Sequence, residues 1–351
     1  MLDCRQAGFG ETDDDSCHHP GSRVFPIAIQ FWESSRVRPI LCRNVSSGGQ
    51  DYAEGVELPV SGGLMTNRSV WRWLAYGTGV SLAAFAILIA IGMHNAQSKP
   101  IVRRITMHMA GLSDGSRPIK VALLADIHLG NTAMTQTRLT DTVEQINASR
   151  PDLILLAGDF VTGHDAERAT DRAAGLTQPL ARLRAPFGVI AVLGNHDYWT
   201  APTAVRTALS RAGVTVLENQ VVRRGPFAII GIGDRFSGHD NVPSSLIAAR
   251  RLGGVPIVLT HSPDLVPDLP VDQPLVLAGH THCGQVVLPW IGPLVMHAPS
   301  DHWRQLYNPR YRCGIVRDGT RTTIVTAGVG SGTSPIRIGA MPDWWLITLE
   351  P

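Results

Sequence analysis

One stretch of this 351-residue chain lacks charge altogether: positions 73 to 98 hold no Asp, Glu, Lys or Arg. Net charge is scarce as well. The 31 Lys and Arg against 29 Asp and Glu leave a formal +2, too near neutral to mark nucleic acid as the main partner. The five cysteines (Cys4, Cys17, Cys42, Cys283 and Cys313) include no CxxC pair. They form no even framework, which argues against a disulfide-stapled fold and leaves the redox compartment open. Internal repeats are absent too. With 44% hydrophobic and 17% charged residues, the chain is neither disordered nor fibrous.

The uncharged run reads as a membrane helix. Residues 80–91 are almost wholly apolar, and roughly 20 such residues span the hydrocarbon core of a bilayer. Trp71, Trp73 and Tyr76 at its leading edge suit the membrane interface, and Arg68 and Arg72 flank it. A core helix would show a polar face, which this run lacks. Ala96 makes a poor cleavage site, so a retained anchor is expected rather than a signal peptide. Arg68 and Arg72 before the run balance Lys99, Arg103 and Arg104 after it, so charge does not orient the helix.

This divides the chain into four parts. Residues 1–64, with three cysteines, an acidic run at 13–15 and no sustained period, are expected to be disordered or an untranslated extension. Residues 13–19 read as a solvated polar tail rather than a metal site. Met65 opens a segment laid out like an N-terminus: a short basic flank at 65–72, a transmembrane helix at 73–93, then a folded domain at 94–351.

Within that domain, 101–109 alternates like a strand and 119–124 is a compact apolar run, with turn residues between them. The pair reads as a hairpin. Strands are expected at 153–157 and 189–193, and helices at 136–148, 166–183 and 201–212. Strands dominate later, at 221–223, 228–232, 257–259, 275–277, 285–288, 322–325 and 345–349. Helices early and strands late predict a layered α/β domain with mixed sheets.

Five of these strands end in polar clusters. They are Asp126-Ile127-His128, Gly158-Asp159, Gly194-Asn195-His196-Asp197, Thr260-His261 and Gly279-His280-Thr281-His282. The carboxyl ends of strands in open α/β sheets are where ligands bind. Carboxylates gathered there would repel one another unless cations compensate them. Asp, Asn and His without thiolate suit Mn, Fe, Zn or Ni, and their number suffices for two ions sharing a carboxylate. Two such ions polarise a phosphoryl group and generate hydroxide at neutral pH.

In this order, the clusters resemble the motif set of the calcineurin-like metallophosphoesterases over residues 100–351. The resemblance implies a four-layer sandwich of two mixed β-sheets flanked by helices. It implies Asp126, His128 and His282 around a first divalent ion, and Asn195, His261 and His280 around a second, with Asp159 bridging. His196 would face the phosphate as the catalytic residue, and the nucleophile would be a metal-bridging hydroxide.

Thr162 stands where the family's protein phosphatases carry a second Asp, and their phosphate-gripping Arg is missing. That argues against a phosphoprotein phosphatase and leaves the partner of His196 open. The run Gly328-Val329-Gly330 to Ser334-Pro335-Ile336-Arg337 resembles a membrane-anchored or exported bacterial subgroup, some members of which cleave UDP-diacylglucosamine in lipid A synthesis. It implies a bacterial inner-membrane phosphodiesterase or pyrophosphatase, with manganese as the expected metal. The bilayer is the expected partner, and nucleic acid is not. The alternatives are an exported diesterase acting on cell-envelope polymers and a non-catalytic scaffold. Arg337 is a candidate substrate-binding residue. Asp234 and His239 read as structural loop residues, Cys283 as a small packed thiol, and Trp344 and Trp345 as packing residues.

Overall fold

The computed structural model describes residues 67–163, 165–298, 303–332 and 334–351. The expectations for residues 1–64 lie outside the described residues. A long helix, α1 (Asn67–Gln97), leads into strands β1 (Ile101–His108) and β2 (Ile119–Leu124). Alternating elements follow: α2 (Gln136–Ala148), β3 (Leu153–Ala157), α3 (Ala166–Ala174), α4 (Thr177–Leu180), β4 (Val189–Val192), α5 (Asn195–Thr200), α6 (Pro202–Arg211) and β5 (Thr215–Val216). The second half holds β6 (Gln220–Arg224), β7 (Phe227–Gly231), α7 (Val242–Leu252), β8 (Val255–Leu259) and β9 (Leu275–Ala278). Two small hairpins come next, β10 (Val287–Leu288) with β11 (Gly292–Pro293) and β12 (His297–Ala298) with β13 (Arg304–Gln305). The chain closes with β14 (Gly314–Asp318), β15 (Arg321–Val325) and β16 (Asp343–Glu350).

The strands build two mixed six-stranded sheets, in the orders β1-β16-β2-β3-β4-β5 and β14-β15-β9-β8-β7-β6. Strand β3 shows why they stack. Its side chains alternate, so Ile154 and Leu156 join the core under helices α2 to α6, while Leu153, Leu155 and Ala157 face the second sheet. Buried on both sides, such a strand reads in sequence as unbroken apolar residues. The inter-sheet core continues through Val192, Ile229, Ile257, Leu277 and Ile347. On the far side, Val242, Leu246 and Ala249 of α7 cover Ile230, Val258 and Val276. Helices, sheet, sheet and helix make four layers. Each large aliphatic side chain buried in them contributes roughly 1.5–3 kcal/mol.

The expected hairpin of 101–109 with 119–124 does not form. Strand β16 lies between the two, parallel to β1 with Ile101 opposite Asp343, and antiparallel to β2 with Trp345 opposite Leu123. The reason is burial. Trp344 packs under the helices and Trp345 packs between the sheets, so β16 needs neighbours on both edges, whereas the largely exposed β1 suits an edge. The helix expected at 166–183 divides at Gly175 into α3 and α4.

Helix α1 is long and apolar enough to cross a membrane. Nearly all of residues 68–91 are exposed, and Gly92 and Ala96 are buried where its last turns meet the domain. Gly92 rests on Ile336, its carbonyl accepts from the Arg337 amide at 2.9 Å, and Asn95 Nδ2 donates to the Arg337 carbonyl at 3.1 Å.

Candidate metal centre and active site

The five polar clusters meet at one end of the sandwich. Three follow β2, β3 and β4 of the first sheet, and two follow β8 and β9 of the second. The site therefore spans the gap between sheets rather than the edge of one. Turning away from the sheet costs backbone strain: Asp126, His128, Asp159, His280 and His282 all have left-handed backbones, with φ of 54°, 48°, 56°, 72° and 49°. Such conformations cost about 1–3 kcal/mol each and persist where the surrounding structure enforces them. Gly158 permits the closest approach, since a Cβ there would lie 2.6 Å from the Gly194 amide nitrogen and 2.7 Å from His261 Nδ1.

The seven candidate ligands fall into two groups around Asp159. In the first, His128 Nε2 lies 3.1 Å from His282 Nε2, and His282 Nε2 lies 3.5 Å from Asp126 Oδ1. In the second, Asn195 Oδ1 is 3.1 Å from His261 Nε2 and 2.9 Å from His280 Nδ1. Asp159 Oδ2 stands between the groups, 3.4 Å from His128 Nε2 and 3.3 Å from His261 Nε2. This is the partition that the family resemblance implies.

The imidazoles of the second group are held from behind. His261 Nδ1 donates to the Ala157 carbonyl at 2.7 Å, and His280 Nε2 donates to the Leu306 carbonyl at 2.8 Å. Those bonds fix the tautomers and turn His261 Nε2 and His280 Nδ1, each bearing a lone pair, toward one point. Asp159 Oδ1 accepts from the His196 amide at 2.9 Å, and Asp126 accepts from the His280 amide at 3.1 Å.

Electrostatics shows what this cluster demands. Burial pushes the Asp126 carboxyl up to about 8 and the His128 imidazole down to about 3. Burial also drives His282 well below its ordinary range, followed by the repulsion of His128 and Arg337. Burial opposes ionisation of Asp159 too, yet the neighbouring His261 and His196 hold that carboxyl well below the carboxylate range. Crowded lone pairs, buried carboxylates and no thiolate fit divalent cations, which would favour ionised Asp and neutral His at once. Two such ions would be held by Asp126, His128 and His282 on one side and Asn195, His261 and His280 on the other, with Asp159 shared.

His196 stands beside this cluster, its ring centroid 4.9 Å from that of His128 and 5.4 Å from that of Trp199. It lines a cavity of about 650 Å³ together with Asp159, Asn195, His280 and His282. Thr162 is buried nearby, and its carbonyl accepts from Arg172 Nη1 at 2.6 Å.

Arg337 departs from expectation. It is fully buried, not in the substrate cavity, and its guanidinium donates to the carbonyls of Ala327, Gly330 and Ala340. Nη2 also lies 3.0 Å from His282 Nδ1, behind the ligand ring. It therefore braces the 327–340 turn and His282 from behind instead of lining the cavity, where a substrate-binding residue would stand. Cys283 is likewise not a free thiol, for it forms a disulfide with Cys313.

Other roles escaped the sequence reading, which placed Asp197 in a polar cluster without assigning it one. Asp197 is fully buried and accepts from the amides of Gly194 at 2.9 Å, Phe160 at 2.9 Å and Val161 at 3.3 Å. It thereby ties the turn after β3 to the turn after β4. Burial, and next the charge of Asp159, push its carboxyl up to about 7. Its place as the third residue of α5, where carboxylates cap helices, was the available signal. The cavity's apolar wall, made of Trp199, Phe236, Val286, Leu294, Val295 and Leu306, had no motif to announce it. Asp234 builds the turn that presents Phe236, accepting from the Ser237 amide at 2.7 Å, while His239 stacks on Tyr198.

Residues 119–284 match the Metallophos family, described as calcineurin-like phosphoesterase. The metallophosphoesterase YkuE of Bacillus subtilis (strain 168) is 31% identical over 255 residues, which is 70% of this chain and 84% of YkuE. The phosphodiesterase YaeI of Escherichia coli (strain K12) is 30% identical over 256 residues, 70% of this chain and 87% of its own. A transmembrane protein with metallophosphoesterase domain from Danio rerio is 28% identical over 309 residues, covering 82% of this chain and 67% of that protein.

Proposed function

The chain belongs to the calcineurin-like metallophosphoesterases, metal-dependent hydrolases of phosphoric esters, and we propose that it is a membrane-anchored phosphodiesterase or pyrophosphatase whose substrate is itself amphiphilic. The observation that carries this is the mixed lining of the cavity, in which Asp159, Asn195, His196, His280 and His282 meet Trp199, Phe236, Leu294, Val295 and Leu306. A phosphoryl group suits the polar residues and an apolar substituent the others. When bound, the divalent cations would neutralise phosphoryl oxygens and lower the pKa of water.

The protein's own contribution is placement. Asp159 positions the His196 backbone, and the His196 ring, at the cavity side of His128, donates a proton to the departing ester oxygen or a hydrogen bond to the phosphate. An apolar substituent seated against Trp199, Phe236 and Leu306 would displace water there, which strengthens the charge interactions inside.

Two finer versions follow. In one, the substrate is UDP-diacylglucosamine of lipid A synthesis at a bacterial inner membrane, with manganese as the metal; the anchor and the motif resemblance support it. In the other, the enzyme faces outward and cleaves cell-envelope phosphodiesters. The Cys283–Cys313 disulfide supports the second, since disulfides persist in oxidising compartments.

The test is hydrolysis of bis-p-nitrophenyl phosphate beside p-nitrophenyl phosphate by the full chain in detergent, with Mn, Fe, Zn or Ni supplied in turn. The diester should be cleaved faster. His196→Ala should lower kcat by about 10²–10⁴-fold with little change in KM. Asp159→Asn should remove activity while leaving a folded protein. Full activity in Asp159→Asn would refute this site, and a folded wild type inert with every metal would revive a non-catalytic scaffold.

A further inference from the structure

The cavity's apolar wall continues onto the surface. Residues 286–296 contain no charged side chain, and the Trp290 indole N–H is their one strong hydrogen-bonding side-chain group. Leu294 and Val295 line the cavity yet are 53% and 55% exposed. Beyond them, at the tip of the β10–β11 hairpin, Trp290 is completely exposed and Ile291 is 71% exposed, while Trp303 before β13 is 70% exposed. An apolar surface of this extent on a soluble face marks an interaction site.

The root of that hairpin lies beside α1. Val286 bridges to Ile338, and the Val287 amide donates to the Ile338 carbonyl at 2.8 Å. Next to it, Arg337 donates its amide to Gly92 of α1, and Gly92 packs on Ile336. Gly92 is the first buried residue after the long exposed stretch of α1. The tryptophan hairpin is therefore rooted where the exposed apolar helix reaches the domain. Trp290 on an uncharged tip suits the interfacial layer of a bilayer, and Trp303 beside Arg304 suits its headgroup side.

We propose that Trp290, Ile291 and Trp303 insert into the surface of the bilayer that α1 spans, so that the cavity receives phosphodiesters whose apolar chains remain in that bilayer. This rests on reading α1 as a membrane anchor and the site as a phosphoesterase. The occupant of the apolar face is lipid rather than a second copy of the chain because the face is continuous, through Ile336 and Ile338, with the helix that lipid surrounds. Acyl chains would run along Leu294 and Val295 while the phosphate sits by His196.

The experiment uses the full chain reconstituted in phosphatidylcholine–phosphatidylglycerol vesicles in which part of the phosphatidylcholine is brominated near the headgroup. Comparing wild type with W290F/W303F isolates the emission of these two indoles from that of the other six tryptophans, Trp71 and Trp73 of α1 among them. Insertion predicts that the wild type is quenched more than the double variant; equal or weaker quenching overturns the proposal. In the same vesicles, W290S/I291S/W303S should hydrolyse an acyl-bearing p-nitrophenyl phosphodiester about tenfold more slowly while holding bis-p-nitrophenyl phosphate within about twofold. Equal loss on both substrates, or loss on neither, overturns it. So does a dimer that dissociates in the triple variant while the indoles stay unquenched, which would make the patch a self-interface. Release of wild type by alkaline carbonate would defeat the anchor reading, and with it the proposal. A wild type inert on both substrates would defeat the phosphoesterase reading, while quenching still decides insertion.

Discussion

At the scale of residues, the site depends on glycines as much as on its ligands. Gly328 sits at φ +77°, and a Cβ there would collide with Asp126 Cβ and lie 2.8 Å from Asp126 Oδ2. Gly328→Ala combines left-handed strain of about 1–2 kcal/mol with displacement of a candidate metal ligand. It should lower the melting temperature and cut metal-supported hydrolysis at least tenfold; thermal melts with and without Mn, read beside activity, check both effects. A second residue-scale prediction concerns pH. Burial alone would raise Asp152, but hydrogen bonds from Arg117 at 2.6 and 3.1 Å and from the Lys120 amide at 2.8 Å hold its carboxyl below the ordinary value. A depressed folded pKa contributes stability that is present above the unfolded carboxylate pKa near 4 and is lost as pH falls through the folded value. The stability advantage of wild type over Arg117→Ala should therefore hold at pH 7 and fade below about pH 4. Urea melts across that range would show it, and an advantage independent of pH would contradict it. The gathering of the candidate ligands was legible because Asp and His follow apolar runs at strand ends. Arg337 and Asp197 were not, because spacing does not reveal whether a guanidinium or a carboxylate faces a cavity or a ring of backbone groups.

At the scale of elements, the turn between β9 and β10 carries the heaviest demands. It holds His280, His282 and Cys283 in left-handed conformations, and the Cys283–Cys313 bond ties it to the chain just before β14. Thr281 Oγ1 donating to the Arg312 carbonyl at 2.5 Å fastens the same two segments. The bond closes a loop with a sequence separation of 30, for which chain entropy suggests a stabilisation of about 2–4 kcal/mol. Cys313→Ser should lower the melting temperature and loosen metal binding, and a reductant should bring wild type to the same level without further affecting the variant. Identical melts for wild type and variant under oxidising conditions would show that the bond does not form. The pairing could not be read from five scattered cysteines, since only the fold brings positions 283 and 313 together. Strands such as β3 were legible for the opposite reason, because burial on both faces leaves a continuous apolar run. The β1–β2 hairpin misled because local alternation carries no information about β16, which arrives from the other end of the chain to part them.

At the scale of the whole molecule, the open question is which side of the membrane the domain faces. Charge does not answer it, since Arg68 and Arg72 on one flank are matched by Lys99, Arg103 and Arg104 on the other. The disulfide does carry a direction, because cytosolic thiols are kept reduced and a bond supporting two candidate ligands would be lost there. The domain should therefore lie on the oxidising side, with residues before α1 toward the cytoplasm. That orientation gives the apolar hairpin an outer leaflet to enter and favours envelope phosphodiesters over a cytosolic nucleotide lipid. Expressed in a bacterium, a fusion of alkaline phosphatase after Pro351 should be active, and a green fluorescent protein fusion at the same place should stay dark. Thiol alkylation of intact cells should find Cys283 and Cys313 already oxidised. The reverse pattern, a bright fluorescent fusion with both thiols free, would place the domain in the cytosol. It would also restore UDP-diacylglucosamine as the leading substrate, because a cytosolic nucleotide lipid would then share the compartment of the site.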